Sequence, residues 1–460
     1  MDDRAGPLDP GGHLAQAAAD CVHCGFCLPV CPTYQLWGEE MDSPRGRIHL
    51  ISQVLDGAPV SEKVTMHLDR CLGCMACVPA CPSGVRYNEL IEGARAWPQE
   101  AGPGAGPAPG GPAARSLRDR AIRAAIFATF PYPKRLRALT RPLRVAQRAG
   151  LDRLVQRGPA MRYAPELAGS LRLAPRSAGR RGKLPARIPA RGPRRAVVGM
   201  LTGCVQQVFF GDVNTATARV LAAEGCDVIV PPAQGCCGAL SLHSGRAAEA
   251  ARFAAQTIAE FERAGVDAIV VNSAGCGSAM KEYGGFFART ADGERDGLAA
   301  RAAAFSGRVR DFSEFLAELY RDHGGPRAVR HELKVITAYH DACHLAHAQR
   351  IRQQPRDLLR GVPGLDLTEV GDGGTCCGSA GVYNLVQPEA AAELGARKAV
   401  ALRATAARLV VSANPGCSMQ IAAALGADGG EPVAVAHIAE VLDASFRGLP
   451  PSALGVTTPG

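Results

Sequence analysis

Sixteen of the seventeen cysteines fall into two kinds of repeated spacing, and both can hold metal. Cys21, Cys24, Cys27 and Cys31, followed by Pro32, recur fifty residues later as Cys71, Cys74, Cys77 and Cys81, followed by Pro82. Three thiolates so closely spaced can cap three corners of one 4Fe-4S cubane, while the fourth, turned away before proline, is aimed at a second site. The expected pairing is crossed: Cys21, Cys24 and Cys27 with Cys81, and Cys71, Cys74 and Cys77 with Cys31. Zinc knuckles or disulfides are the alternatives, but zinc sites rarely use two three-plus-one runs ending in Cys-Pro.

The second repeat is longer. Cys204 to Cys343 spans 139 residues, Cys236 to Cys376 spans 140, and Cys276 to Cys417 spans 141. A near-constant pitch over three landmarks means two copies of one domain. Each copy brings four thiols to one rim, Cys204, Cys236, Cys237 and Cys276 in the first, Cys343, Cys376, Cys377 and Cys417 in the second. Gly235, Gly238, Gly275, Gly378 and Gly416 beside them allow close backbone approach. Adjacent cysteines chelate a tetrahedral ion poorly, so the pattern suggests an unusual cluster or a redox-active thiol pair, with reduced structural thiols as the alternative. Cys226 has no counterpart and reads as a buried structural thiol. His340, His344 and His347 flank Cys343, and His243 follows Cys237; each reads as a hydrogen-bonded residue before it reads as a ligand. Tyr383 reads as packing.

The elements that position these thiols follow from local signals. His13 to Ala19 is expected to be a short helix, and Ser43-Pro44 opens another that runs to about Leu55. Arg45 and Arg47, in its first turn, lie either close to the anionic cofactor, where positive charge favours the reduced form, or in an ordinary solvated turn. From Ala196 strands and helices alternate. Strands are expected at Ala196 to Leu201, Asp227 to Val230, Ala268 to Asn272, Val335 to Tyr339, Leu367 to Val370 and Leu409 to Ser412. Helices are expected at Thr215 to Glu224, Arg246 to Ala264, Phe312 to Tyr320 and Pro388 to Ala404. The cysteines then fall just past the carboxyl ends of strands, the edge where open α/β sheets place their sites.

The fold class is therefore a multidomain α+β and α/β chain, a small helical two-cluster ferredoxin-like module followed by a tandem repeat of α/β cysteine-rich domains. The expected domains are 1–95, a basic linker 96–195, cysteine-rich copies at 196–330 and 331–446, and a flexible tail 447–460. Residues 101–114 are low in complexity, and their Gly-Pro-Gly-Ala-Gly has no preceding strand, so it is no dinucleotide loop. Residues 115–157 return to helical spacing with an arginine face, suited to an anionic membrane surface, an acidic partner or plain solvent. Arg176 to Arg195 is rich in Pro, Gly and Arg and is expected to be poorly ordered.

Charge is uneven. Residues 115–195 hold 22 Lys and Arg against 3 acids, which is +19, so the remainder of a chain of net charge +9 carries 9 − 19 = −10. Arginine outnumbers lysine 46 to 6, so part of this bias reflects composition throughout. No stretch of about eighteen uncharged apolar residues suggests a membrane span. Met1 to Asp20 holds four aspartates and no basic region before an apolar block, unlike a signal peptide. So many cysteines without an export signal point to a reducing compartment and to metal.

Four segments together resemble the iron-sulfur subunits of glycolate oxidase: Cys21-Val-His-Cys-Gly-Phe-Cys through Cys31-Pro-Thr-Tyr, Asp42-Ser-Pro-Arg-Gly-Arg-Ile, Cys81-Pro-Ser-Gly-Val-Arg-Tyr, and Cys376-Cys-Gly-Ser-Ala-Gly. The resemblance implies two 4Fe-4S clusters, leaves open further iron-sulfur centres in the cysteine-rich domains, and places FAD on a partner flavoprotein that oxidises glycolate to glyoxylate. Electrons would pass to a quinone or other membrane acceptor, in the cytoplasm or peripherally on the inner face of the cell membrane, with no nucleic acid as partner and no substrate-oxidising residue in this chain. Subunits of lactate and glycerol-3-phosphate dehydrogenases share the plan, as does heterodisulfide reductase with its thiol chemistry at Cys-Cys-Gly. The wider family's cysteine-rich domain often ends in Cys-x-x-Cys; here Ser273 and Asn414 stand at the first position of that pair.

Overall fold

A computed structural model describes residues 8–9, 11–97, 115–149, 173, 184–290, 293 and 297–457. Two compact units emerge, one of residues 1–127 and 238–251, the other of 128–237 and 252–460.

The first unit is helical: α1 (His13–Ala19), α2 (Pro32–Trp37), α3 (Pro44–Leu55), α4 (Glu62–Arg70), α5 (Cys77–Ala80) and α6 (Tyr87–Ala94), followed by α7 (Leu117–Thr129). Each start has a local cause. Asp9 accepts from the Leu14 and Ala15 amides at the head of α1, and Ser43 accepts from Gly46 N with Pro44 at the first position of α3. Ser61 caps α4 in the same way. Leu14, Ile51, Leu68, Leu90, Ile91 and Trp97 make the core; burying each aliphatic side chain is worth ~1.5–3 kcal/mol. Part of the basic face of 115–157 is already committed, because Arg115 and Arg123 both bind Asp69, at 3.0 and 3.2 Å. The second helix expected there is α8 (Pro133–Arg148), and 150–157 lie outside the described residues.

The second unit holds both sheets. Strands β1 (Arg187–Ile188), β2 (Ala196–Met200), β3 (Cys226–Ile229), β4 (Ala268–Val271) and β5 (Val309–Asp311) lie in the order β1-β3-β2-β4-β5. All neighbours are parallel except β1, which runs antiparallel to β3. Strands β6 (Val335–Tyr339), β7 (Leu365–Thr368), β8 (Leu409–Ser412) and β9 (Ala434–His437) lie in the order β7-β6-β8-β9, all parallel. Strand for strand, β3-β2-β4-β5 matches β7-β6-β8-β9, the duplication expected from the cysteine pitch. Helices α9 (Gly211–Ala223), α10 (Ala247–Ala264), α11 (Ala274–Lys281), α12 (Phe312–His323), α13 (Gln353–Arg360), α14 (Pro388–Arg403), α15 (Pro415–Ala427) and α16 (Ile438–Phe446) accompany them. One apolar cluster spans both halves, taking Val198, Leu221 and Val270 from the first and Leu409, Val411 and Leu442 from the second. Arg219 clamps Asp443 with two hydrogen bonds, the longer 2.8 Å.

Three expectations are corrected. Residues 184–195 are ordered, and β1 is an edge strand held by Asp227, which binds Arg187 at 2.6 Å and the Ala190 amide at 2.9 Å; residues 176–183 lie outside the described residues. Strand β7 begins two residues before the expected Leu367. The tail expected to be flexible packs instead as far as Thr457, with Leu454 and Val456 against the apolar cluster and the Thr457 carbonyl accepting from Arg408 at 2.9 Å; residues 458–460 lie outside the described residues.

Candidate metal centres

The two short cysteine runs fold into loops with one backbone pattern. In the first, His23 and Gly25 are left-handed, with φ of 52° and 87°; in the second, the equivalent Gly73 and Met75 have φ of 62° and 60°. Two non-glycine residues accept this costly conformation, so the loop shape is imposed by its surroundings.

Two cavities result. One is lined by Cys21, Cys24, Cys27, Cys77 and Cys81, with Arg45 among them. The other is lined by Cys31, Cys71, Cys74 and Cys77, with Arg47 and Tyr87. Cys81 thus lines a cavity with the first run, Cys31 lines the other with the second, and Cys77 lines both.

The two arginines line different cavities and differ in character. Arg45, partly exposed, donates to His23 O at 3.1 Å and pairs with Glu40 at 2.6 Å, which cancels much of its charge. Arg47 is 0% exposed. Its guanidinium donates to His67 O at 2.7 Å, Thr33 Oγ1 at 3.2 Å and Asp42 Oδ1 at 3.3 Å. Asp42 also holds His67 Nδ1 and Arg70, both at 2.9 Å.

Cys71 stands apart from the other thiols. Burial opposes its ionisation, yet Arg47, Arg95, the Gly73 amide and the Tyr87 hydroxyl outweigh it and lower its pKa. Gly73 N donates to its sulfur at 3.3 Å and Tyr87 Oη at 3.6 Å. By contrast, burial pushes Cys21, Cys27 and Cys77 up. Arg95 carries no sequence signal for this role, and Tyr87, though it closes the Cys81-Pro-Ser-Gly-Val-Arg-Tyr segment, is not marked there as a donor to sulfur. Arg95 ends α6, donates to Leu68 O at 3.1 and 3.2 Å and also reaches Cys71 O.

In the second unit each set of four thiols closes into a chain. Cys236 lies 3.6 Å from Cys204 and against Cys237, which in turn meets Cys276. In the other copy Cys343 meets Cys376, and Cys377 meets both Cys376 and Cys417. Hydrogen bonding to Cys204 and Cys237, and then burial, push Cys236 up; Cys376 and burial do the same to Cys343. Four sulfurs so crowded resist ionisation together unless a cation neutralises them, so the donor set fits a metal centre. Cys226 is fully buried, and desolvation pushes its pKa up to about 12, as for an inert structural thiol. Tyr383 is buried, as a packing residue would be. His340, read from sequence as an ordinary hydrogen-bonded residue, instead lies beside Cys377 and Cys417 with both ring nitrogens unpartnered.

Comparison with known proteins agrees with this geometry. Residues 17–85 match the 4Fe-4S dicluster domain family, and 198–281 and 337–422 each match the cysteine-rich domain family. Residues 118–174 match the family described as glycolate oxidase iron-sulfur subunit, linker region. The probable glycolate oxidase iron-sulfur subunit of Bacillus subtilis is 36% identical over 431 residues, covering 92% of this chain and 93% of its own. The chain belongs to the family of glycolate oxidase iron-sulfur subunits. The Escherichia coli member is also 36% identical, over 88% of this chain and 89% of its own. Lactate utilization protein A of Oceanobacillus iheyensis is 29% identical over 55% of this chain, so its likeness leaves nearly half the chain unmatched. Membership makes this an iron-sulfur oxidoreductase subunit. Among the described residues, no helix is long and apolar enough to cross a membrane.

Proposed function

We propose that the chain is the electron-transfer subunit of a glycolate-oxidising complex. A flavoprotein partner oxidises glycolate to glyoxylate, and this chain relays the electrons toward a quinone or other membrane acceptor. The observation that carries the reading is the gathering of all eight N-terminal thiols around two adjoining cavities that share Cys77.

In this reading Cys21, Cys24, Cys27 and Cys81 hold one 4Fe-4S cluster, and Cys71, Cys74, Cys77 and Cys31 the other. Cys204, Cys236, Cys237 and Cys276, and Cys343, Cys376, Cys377 and Cys417, hold one further centre per cysteine-rich domain. When bound, the clusters supply one-electron redox chemistry. The protein's own groups set its ease. Arg47, Arg95, Tyr87 and the Gly73 amide stabilise negative charge at Cys71, which favours the reduced state there. Arg45, offset by Glu40, does so less at the other cavity.

The linker match at 118–174 favours glycolate over lactate as the substrate of the complex. The basic stretch supports a cytoplasmic protein lying peripherally on the inner face of the cell membrane, where anionic headgroups attract arginine. The test is anaerobic purification with the flavoprotein, followed by addition of glycolate. Reduction of the clusters by glycolate, abolished in Cys24→Ser or Cys74→Ser for quinone-linked turnover while flavin binding persists, supports the reading. Full turnover in either variant contradicts it.

A further inference from the structure

The second cysteine-rich domain differs from the first at one buried place beside its thiols. His340 and Leu201 follow the ends of equivalent strands, β6 and β2. Each donates its backbone N–H to the neighbouring central strand, His340 to Val411 O at 2.8 Å and Leu201 to Val270 O at 3.1 Å. Both residues are 2% exposed. In the first domain this place is filled with hydrocarbon. In the second it holds an imidazole whose two ring nitrogens are both buried without a hydrogen-bond partner.

A buried, unpaired polar group destabilises a fold, and Leu201 demonstrates that the fold does not require one there. The place becomes intelligible from its neighbours. The ligand atoms of His340, Cys377 and Cys417 all lie within 4.8 Å of one another. Among the described residues this is the one group of three or more potential ligands so close together.

We propose that His340 is a metal ligand, so that the second domain holds a mixed nitrogen–sulfur centre with Cys377 and Cys417, while the first is ligated by sulfur alone. The inference rests on the reading that the cysteine-rich domains hold metal. Imidazole and thiolate together suit iron or zinc. A neutral nitrogen bound beside the thiolates adds a ligand without adding negative charge, so it changes the potential of a redox-active centre from that of one ligated by thiolates alone. The duplicated domains would then hold centres of unequal potential, a difference that gives electron flow between them a direction.

The test compares metal content of the full-length protein, prepared anaerobically, across wild type, Cys417→Ser, His340→Leu and His340→Cys. Iron, zinc and acid-labile sulfide are counted per chain, with the EPR signals of the N-terminal clusters as an internal control. Leucine is the residue the first domain carries, so His340→Leu should fold. The expected result is that His340→Leu and Cys417→Ser lose the same metal, by about tenfold or more in occupancy, while His340→Cys retains it and the N-terminal signals stay unchanged. Loss in Cys417→Ser with full retention in His340→Leu overturns the ligand assignment alone. Full retention in Cys417→Ser overturns the metal reading of the domain and the assignment with it. Loss in both His340 variants also overturns the assignment, since a thiol there should replace the imidazole.

Discussion

Ser273 and Asn414 stand at the same position of the two cysteine-rich domains, 141 residues apart, and they meet: Ser273 Oγ donates to Asn414 Oδ1 at 3.4 Å. Beside them Ala274 N donates to Ala413 O at 3.1 Å. The bond that symmetry would add, from residue 415 to Asn272 O, cannot form because Pro415 has no N–H. His437 Nε2 supplies it instead, at 3.0 Å. The duplicated domains thus face each other near an approximate two-fold axis. The helices that start at this seam, α11 and α15, carry Cys276 and Cys417 in their first turns.

That seam is testable by a double-mutant cycle. Asn414→Ala removes the acceptor for Ser273 and for Gly275 N, and the donor to Cys417 Sγ at 3.4 Å. Its expected cost is about 1–3 kcal/mol in urea unfolding. Ser273→Ala should cost less, and the double variant should fall short of additivity by roughly 0.5 kcal/mol or more. Full additivity would mean the contact carries no energy.

Arg47 should matter both to stability and to potential. Arg47→Met breaks a buried ion pair with Asp42, and the expected loss is about 3–5 kcal/mol for the N-terminal unit. Losing the positive charge should also lower the potential of the cluster held by Cys71, by roughly 60 mV for each tenfold change in the reduction equilibrium. Arg45→Met, whose charge is already offset by Glu40, should shift the other cluster less. Redox titration followed by EPR reads both; equal shifts would refute the difference drawn between the two arginines.

His437 and Glu440 cap α16 and should oppose each other in pH dependence. His437 Nδ1 accepts from Ala439 N at 3.0 Å, and Glu440 Oε2 accepts from His437 N at 2.8 Å. Burial pushes His437 down to about 4 and Glu440 up to about 7. The unfolded histidine binds a proton below 6.5, so this residue costs stability as pH falls from 6.5 toward 4. The unfolded glutamate loses its proton above 4.5, so that residue costs stability as pH rises from 4.5 toward 7. Over the shared window the two slopes cancel. His437→Asn should therefore give stability that falls as pH rises, and Glu440→Gln stability that climbs, each by up to ~1.4 kcal/mol per pH unit. Slopes of the same sign in the two variants would contradict the pairing.

The thiols and their grouping were legible because cysteine spacing is a local record of ligand geometry. The constant pitch also located β2, β6 and β8 to within a residue, since each ends a few residues before a cysteine. What escaped depends on distant partners. The Pro- and Gly-rich approach to β2 reads as disorder, yet Asp227, some forty residues on, anchors Arg187 and the Ala190 amide. Strands β5 (Val-Arg-Asp) and β9 (Ala-Val-Ala-His) each hold one large apolar residue and no cysteine follows them closely, so neither an apolar run nor the pitch marks them. Arg95 and Tyr87 reach Cys71 only through the packing of α6. His340 looks from sequence like its neighbours His344 and His347; only burial without a partner sets it apart.

The central claim, two clusters with crossed ligands, is met most directly by low-temperature EPR of the dithionite-reduced protein in four single variants. Cys81→Ser should abolish or alter the same signal as Cys24→Ser, and Cys31→Ser the same signal as Cys74→Ser, with the other cluster intact in each. If Cys81→Ser instead strikes the cluster lost in Cys74→Ser, each run holds its own cluster and the crossed account is wrong.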